Sequence, residues 1–251
     1  MKQIPFLCSL ALLCVPLTAC AQSESSVPAD RQINVFSKFV SIWQVDAEED
    51  WWAYAVTDLD RDGTLELLST ESHGTGHFTT SSVWRADLTN EKQKVLCAAA
   101  SDAPEYMGPR FEPHYDEEGG TAPVPVYYDQ KDNAYHYILK SLVKDGMLHY
   151  YESENVMTMK DGEITTELIG SREIDCSEEG EETITYRDSG GNAITEEAYE
   201  NAAAEHFADC IPMEANIFWI ETTSFQSIGS EAERAELLTN SYEHFSLTEI
   251  P

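Results

Sequence analysis

The sequence predicts an α+β protein: an antiparallel β-meander sheet with an N-terminal helix, a helix near 195–207 and a C-terminal helix. Three observations carry this. Between residues 123 and 170, short runs rich in Val, Ile and Tyr are separated by Lys131-Asp132-Asn133, Lys144-Asp145-Gly146 and Lys160-Asp161-Gly162, triplets that reverse the chain and set neighbouring strands antiparallel. Apolar residues recur at helical spacing after Asp30 and again after Ser230. Between them, Asp58-Leu59-Asp60-Arg61-Asp62-Gly63-Thr64-Leu65-Glu66 separates two alternating runs, which reads as strand–loop–strand.

The first residues are a targeting segment. Lys2 precedes an apolar run from Ile4 to Leu17, too short to span a bilayer comfortably, followed by small residues. Residues 1–19 form the signal, 20–29 (CAQSESSVPA) a flexible tether, and 30–251 a single acidic domain, with a possible subdivision near 100–122. Leu17-Thr18-Ala19-Cys20 is similar to a bacterial lipobox. That resemblance implies a lipid on Cys20 and a protein anchored to the outer face of the cell membrane; the alternative is an ordinary secretory signal cut after Ala19 or Ala21.

Asp30 is a plausible N-cap, and Ile33, Phe36, Phe39, Val40 and Trp43 form the buried stripe of the first helix, which ends in the acidic stretch before Trp51. Strands at 52–57 and 65–70 flank the acidic loop; a polar loop then leads to a strand at 83–87. Residues 90–118 lack periodicity apart from one strand near 94–98. The meander comprises 124–129, 134–140, 147–153, 156–160 and 163–169, with another strand at 183–187. Thr195 starts the helix near 195–207, residues 217–222 return as a strand, and Ser230 with Glu233 forms a capping box for the final amphipathic helix.

The acidic loop holds the clearest chemistry. Asp58, Asp60 and Asp62 alternate, Gly63 permits a sharp turn, the Thr64 carbonyl points back, and Glu66 closes the shell; hard oxygen donors in this pattern suit Ca²⁺. A helix–loop–helix site would carry a bidentate Glu at its twelfth position, which here is Ser69. The segment YAVTDLDRDGTLELLS resembles the single DxDxDGxxE calcium loops of FG-GAP/VCBS-type repeats, and occurs once. The alternative is a solvated acidic turn, in which the crowded carboxylates would repel one another without a cation.

A formal net charge of −31 over 251 residues disfavours nucleic acid and anionic lipid as partners. Of the six cysteines, Cys8 and Cys14 lie in the signal and Cys20 is the lipid site, which leaves Cys97, Cys176 and Cys210. A disulfide between Cys176 and Cys210 is the expected pairing, and no cysteine spacing fits a zinc site. Asp188-Ser189-Gly190-Gly191 is similar to the nucleophile segment of trypsin-like proteases, but it sits at a turn and lacks a matching histidine. His73 and His77 are interrupted by glycines and read as loop residues, and the tyrosine doublets read as cross-strand packing.

The segment TYRDSGGNAITEEAYENAAAEHF, the strand through Trp219 and the final SYEHF resemble parts of calcium-loop-containing surface lipoproteins of Gram-positive bacteria, a resemblance that implies no chemistry. The expected function is a lipid-anchored, calcium-binding surface module, non-enzymatic, that takes an extracellular glycan or protein. The alternative is an extracellular hydrolase using carboxylates on polysaccharide or peptide.

Overall fold

Two antiparallel sheets lie face to face, and each carries helices on its outer side. The computed structural model describes residues 28–38, 51–73, 78–97, 110–111, 113, 121–144, 147–221 and 228–250. The signal, the tether up to residue 27, Cys20, His77, His114 and most of the proposed subdivision fall outside the described residues, as do the residues that would extend the first helix; Ala29, read as the tether's end, already opens that helix. Among the described residues no helix is long and apolar enough to cross a membrane.

The chain begins with helix α1 (Ala29–Lys38), then β1 (Trp51–Thr57), β2 (Glu66–His73), β3 (Phe78–Asp87) and β4 (Lys92–Cys97). Next come β5 (Val124–Asp129), β6 (Ala134–Lys144), β7 (His149–Lys160), β8 (Glu163–Cys176), β9 (Glu182–Asp188) and β10 (Ala193–Ile194). Helices α2 (Glu196–Glu200) and α3 (Ala202–His206) lead to β11 (Ile211–Asn216) and β12 (Ile220–Glu221). Helix α4 (Glu231–Glu243) and β13 (Ser246–Glu249) close the chain. The smaller sheet runs β12-β1-β2-β3-β4 and the larger β10-β9-β8-β7-β6-β5-β11-β13. The expected α+β class and the meander are both present.

Alternation along each strand builds the layers. In β1, Ala55 faces the larger sheet, while Tyr54 and Val56 face α1 and α4. In β6, Tyr135, Tyr137 and Leu139 face the smaller sheet, while Ile138 packs under α3 with Ala203 and Phe207. The inter-sheet core takes Leu68 and Val83 from one side and Met157, Met159 and Met213 from the other, and buried Phe111 is wedged among them. Ser230 and Glu233 form the expected capping box of α4, and Thr195 caps α2 through the Ala198 N–H.

Several boundaries differ from expectation, each for a local reason. Residues 78–82 of the polar segment before Val83 are strand: Thr70 and Ser81 hydroxyls pair across β2 and β3 at 3.0 Å, so Ser and Thr here serve cross-strand contacts. Residues 149–160 form one strand, in which a register shift at Glu154/Asn155 absorbs the irregularity read as a break. The helix near 195–207 is interrupted at Asn201, whose side chain donates to the Glu197 carbonyl at 2.7 Å and competes with the backbone ladder. β11 escapes sequence reading because Pro212 demotes it; the proline is tolerated near the strand's start, just past the end of β13. β13 follows the helix expected to end the domain.

The Cys176–Cys210 disulfide is overturned: both are free thiols. Strands β7, β6 and β5 separate β8 from β11. At about 4.8 Å per strand that alone exceeds the roughly 7 Å Cα reach of a disulfide. Cys176 also ends β8 at the edge opposite the one where Cys210 enters β11.

Candidate metal centre

The acidic loop is held rigid by core and clamp. It leaves β1 at Thr57, turns through Arg61 and Gly63 at φ of 53° and 81°, and enters β2 at Glu66. Leu59 and Leu65, 0 % and 1 % exposed, anchor its two halves in the inter-sheet core and the helix-side core respectively. Burying such a side chain contributes about 1.5–3 kcal/mol. Gln32 of α1 bridges the second half: its amide nitrogen donates to the Gly63 carbonyl at 2.9 Å, and its oxygen accepts from the Leu65 N–H at 2.8 Å. From the larger sheet, the Tyr137 hydroxyl donates to the Leu59 carbonyl at 2.6 Å, and the Gly162 N–H donates to Asp60 Oδ2 at 3.1 Å. Arg61 reaches the Leu247 carbonyl.

Three of the four carboxylates converge, and Asp62 stands outside the group. Asp58, Asp60 and Glu66 each place one oxygen within 4.8 Å of the others. A Ca²⁺ ion holds its donors at about 2.3–2.6 Å, so donors across the ion stand up to about 5 Å apart. Asp62 Oδ1 accepts from the Thr64 N–H at 2.6 Å, which folds the exposed side of the loop inward. Asp58 Oδ2 accepts from the Gly63 N–H at 3.2 Å, whereas Asp58 Oδ1 is buried without a hydrogen-bond partner. An unmet buried carboxylate oxygen is costly unless a cation or donor reaches it. Asp58 also lines an open pocket of about 420 Å³ with Arg61, Tyr242 and Glu243, which gives an ion a route in.

Sequence reasoning missed Arg85. It stands directly across from Glu66 in the β2–β3 register, and its guanidinium donates to Glu66 Oε1 at 2.6 and 2.9 Å. The same group reaches Asp60 at 3.2 Å and Asp62 at 3.3 Å. Glu66 Oε2 accepts from the Leu59 N–H at 2.8 Å, so both Glu66 oxygens are engaged. A signal existed: Arg85 alternates with core-facing Val83, and a cation on the apolar face of a strand implies buried acids. Gly162 is required beside it, because its φ of 72° favours glycine and an added Cβ would run into the guanidinium.

One guanidinium does not balance four carboxylates. Asp58 is pushed up to about 6, by burial first and then by the charges of Asp60 and Asp62. Burial also raises Asp60 and fully buried Glu66, with Arg85 opposing the shift. The site is thus an oxygen-rich, over-negative pocket whose one free buried ligand atom belongs to Asp58. Its donors suit a hard divalent cation; Glu66 serves as the brace between loop and Arg85. Elsewhere, Asp188 accepts from the Gly190 and Asn192 N–H groups, so Asp188-Ser189-Gly190-Gly191 is a capped turn. Comparisons with protein-family models, with curated proteins and with solved structures return no match.

Proposed function

We propose that this protein is a non-enzymatic surface module, exported and held on the outer face of the membrane by lipid on Cys20, whose two-sheet body is tightened by Ca²⁺. The observation that carries the reading is the unpartnered Asp58 Oδ1 beside Asp60 in a cluster with more negative charge than Arg85 neutralises. In this reading Asp58, Asp60, Asp62 and the Thr64 carbonyl hold the ion, and Glu66 fixes the geometry through Leu59 and Arg85. A cleft of about 370 Å³ near Phe111, Val124 and Leu139 offers a place for the ligand. Among the described residues its lining carries the carboxylate of Glu152, held by Arg172 at 2.8 Å and by the Tyr199 hydroxyl at 3.1 Å. The apolar lining suits a segment of an extracellular protein or the flat face of a glycan. Thermal unfolding with Ca²⁺ and with equal Mg²⁺ tests the metal: Ca²⁺ should raise the midpoint by several degrees and Mg²⁺ by much less, because Mg²⁺ gives up its waters reluctantly. Equal responses would refute the site.

A further inference from the structure

A second constellation lies on the other face of the larger sheet, beneath α3. Asp129 ends β5, His136 sits on β6 opposite Tyr127, and Cys210 leads into β11, whose Ile211 stands opposite Tyr128. One ligand atom from each of Asp129, His136 and Cys210 lies within 4.8 Å of the others. Each already has a fixed posture. His136 stacks on Phe207 with ring centroids 4.5 Å apart, and its Nδ1 pairs with the Thr158 hydroxyl at 2.8 Å, which leaves Nε2 as the ligating nitrogen. A metal-bound imidazole commonly has its other nitrogen held in this way. Asp129 Oδ1 accepts from the Lys131 and Asp132 N–H groups at 2.8 and 3.3 Å, leaving Oδ2. Cys210 is a free thiol, placed by its N–H bond to the Phe207 carbonyl at 2.9 Å.

We infer that Asp129, His136 and Cys210 form a zinc site, distinct in place and chemistry from the acidic loop. Sulfur, imidazole nitrogen and one carboxylate oxygen make a borderline-soft set that selects Zn²⁺ over Ca²⁺. Donors about 2.0–2.3 Å from a tetrahedral ion stand roughly 3.5 Å apart, so small side-chain rotations close the observed spacing. Binding releases the thiol proton of Cys210 to solvent, and the thiolate and carboxylate together neutralise the ion. Three protein ligands leave the fourth position to water, the open form of zinc coordination.

The test is titration of the chelator-stripped full chain with Co²⁺ followed by Zn²⁺. The expected result is one equivalent of tetrahedral cobalt with a thiolate-to-metal charge-transfer band, bleached by Zn²⁺. Cys210→Ser should abolish the band and His136→Gln should weaken cobalt binding at least tenfold, while Cys176→Ser and Asp58→Asn retain the parent spectrum. Far-UV circular dichroism of each variant separates a lost ligand from a lost fold, and His136→Gln keeps a polar side chain of similar length beside Phe207. A parent without the band, a band that survives Cys210→Ser, or one that vanishes in Asp58→Asn would each overturn the assignment.

Discussion

Replacing Asp58 with asparagine should stabilise the protein in chelator and forfeit the gain that calcium gives the parent. In the metal-free protein Asp58 is pushed up to about 6 from the ordinary 3.8, so near neutral pH its ionised form burdens the fold. A gap of that size corresponds to about 3 kcal/mol, reduced to ~1–2 kcal/mol by the solvent that reaches this half-buried group. Asparagine removes the charge, keeps an oxygen for the Gly63 N–H, and offers an amide where Oδ1 stood unpartnered. In EDTA the variant should therefore be more stable by ~1–2 kcal/mol, about 2–8 °C in midpoint for a domain of this size. Calcium changes the balance. The loop has no bidentate acid at its twelfth position, so affinity should fall near 10⁻⁴–10⁻³ M, roughly the range of weak extracellular sites. At ten to a hundred times the dissociation constant, the parent gains about 1.4–2.7 kcal/mol by mass action, and the variant gains little. The assay is urea unfolding at pH 7.5, monitored by circular dichroism in EDTA and in millimolar Ca²⁺, with exposed Glu178→Ala as control. If Asp58→Asn gains as much from calcium as the parent, or is equally destabilised in both buffers, the ion only screens overall charge and the site reading fails.

Acid should act with opposite signs in the two buffers. A folded-state value raised above the unfolded one adds stability that is full below about 4 and lost as pH rises through about 6, so in EDTA the parent's midpoint should climb as pH falls from 7 to 5. In Ca²⁺ protons compete for the ligands, and the calcium-induced gain should shrink over the same window; a gain constant from pH 7 to 5 would contradict this. Arg85→Met leaves Glu66 and Asp60 without their buried counter-charge, at a cost of about 3–5 kcal/mol in EDTA, toward the lower figure because Glu66 can take a proton. Denaturation that shows a loss under ~1 kcal/mol would mean the guanidinium contributes little. Cys20→Ala should release the protein from the membrane fraction or block its processing, and a variant that sediments like the parent would exclude the lipid anchor.

What the sequence discloses about this molecule is local. The loop was legible because its alternate aspartates, glycine and flanking strands lie within one short segment, and the helix caps at Thr195 and Ser230 are likewise self-contained. Arg85 was hidden because its role depends on the β2–β3 register, which sets it across from Glu66. The brace from Gly162 needs the two sheets to dock, and nothing near Asp60 in the chain announces it. Asp129, His136 and Cys210 meet only through the pairing of β5 with β6 and β11, so their spacing in sequence matched no metal pattern. Cysteine counting failed for the same reason: it joined Cys176 to Cys210 across a sheet whose order could not be read from the chain. The last strand was lost because four residues, Ser246–Glu249, are too few to show a period.

The order of the sheets also bears on how the molecule behaves in a crowd. An outer strand presents unsatisfied backbone groups that invite pairing with a neighbour. Among the described residues, three of the four outermost strands are stubs: β10 and β12 have two residues each and β13 has four. The fourth, β4, is longer but carries Lys92 and Lys94 along its run. Stubs offer too few backbone groups to template a continuous ribbon, and lysines penalise stacking against a copy of themselves. Strand length at three margins and charge at the fourth therefore disfavour pairing of one copy's sheet with another's.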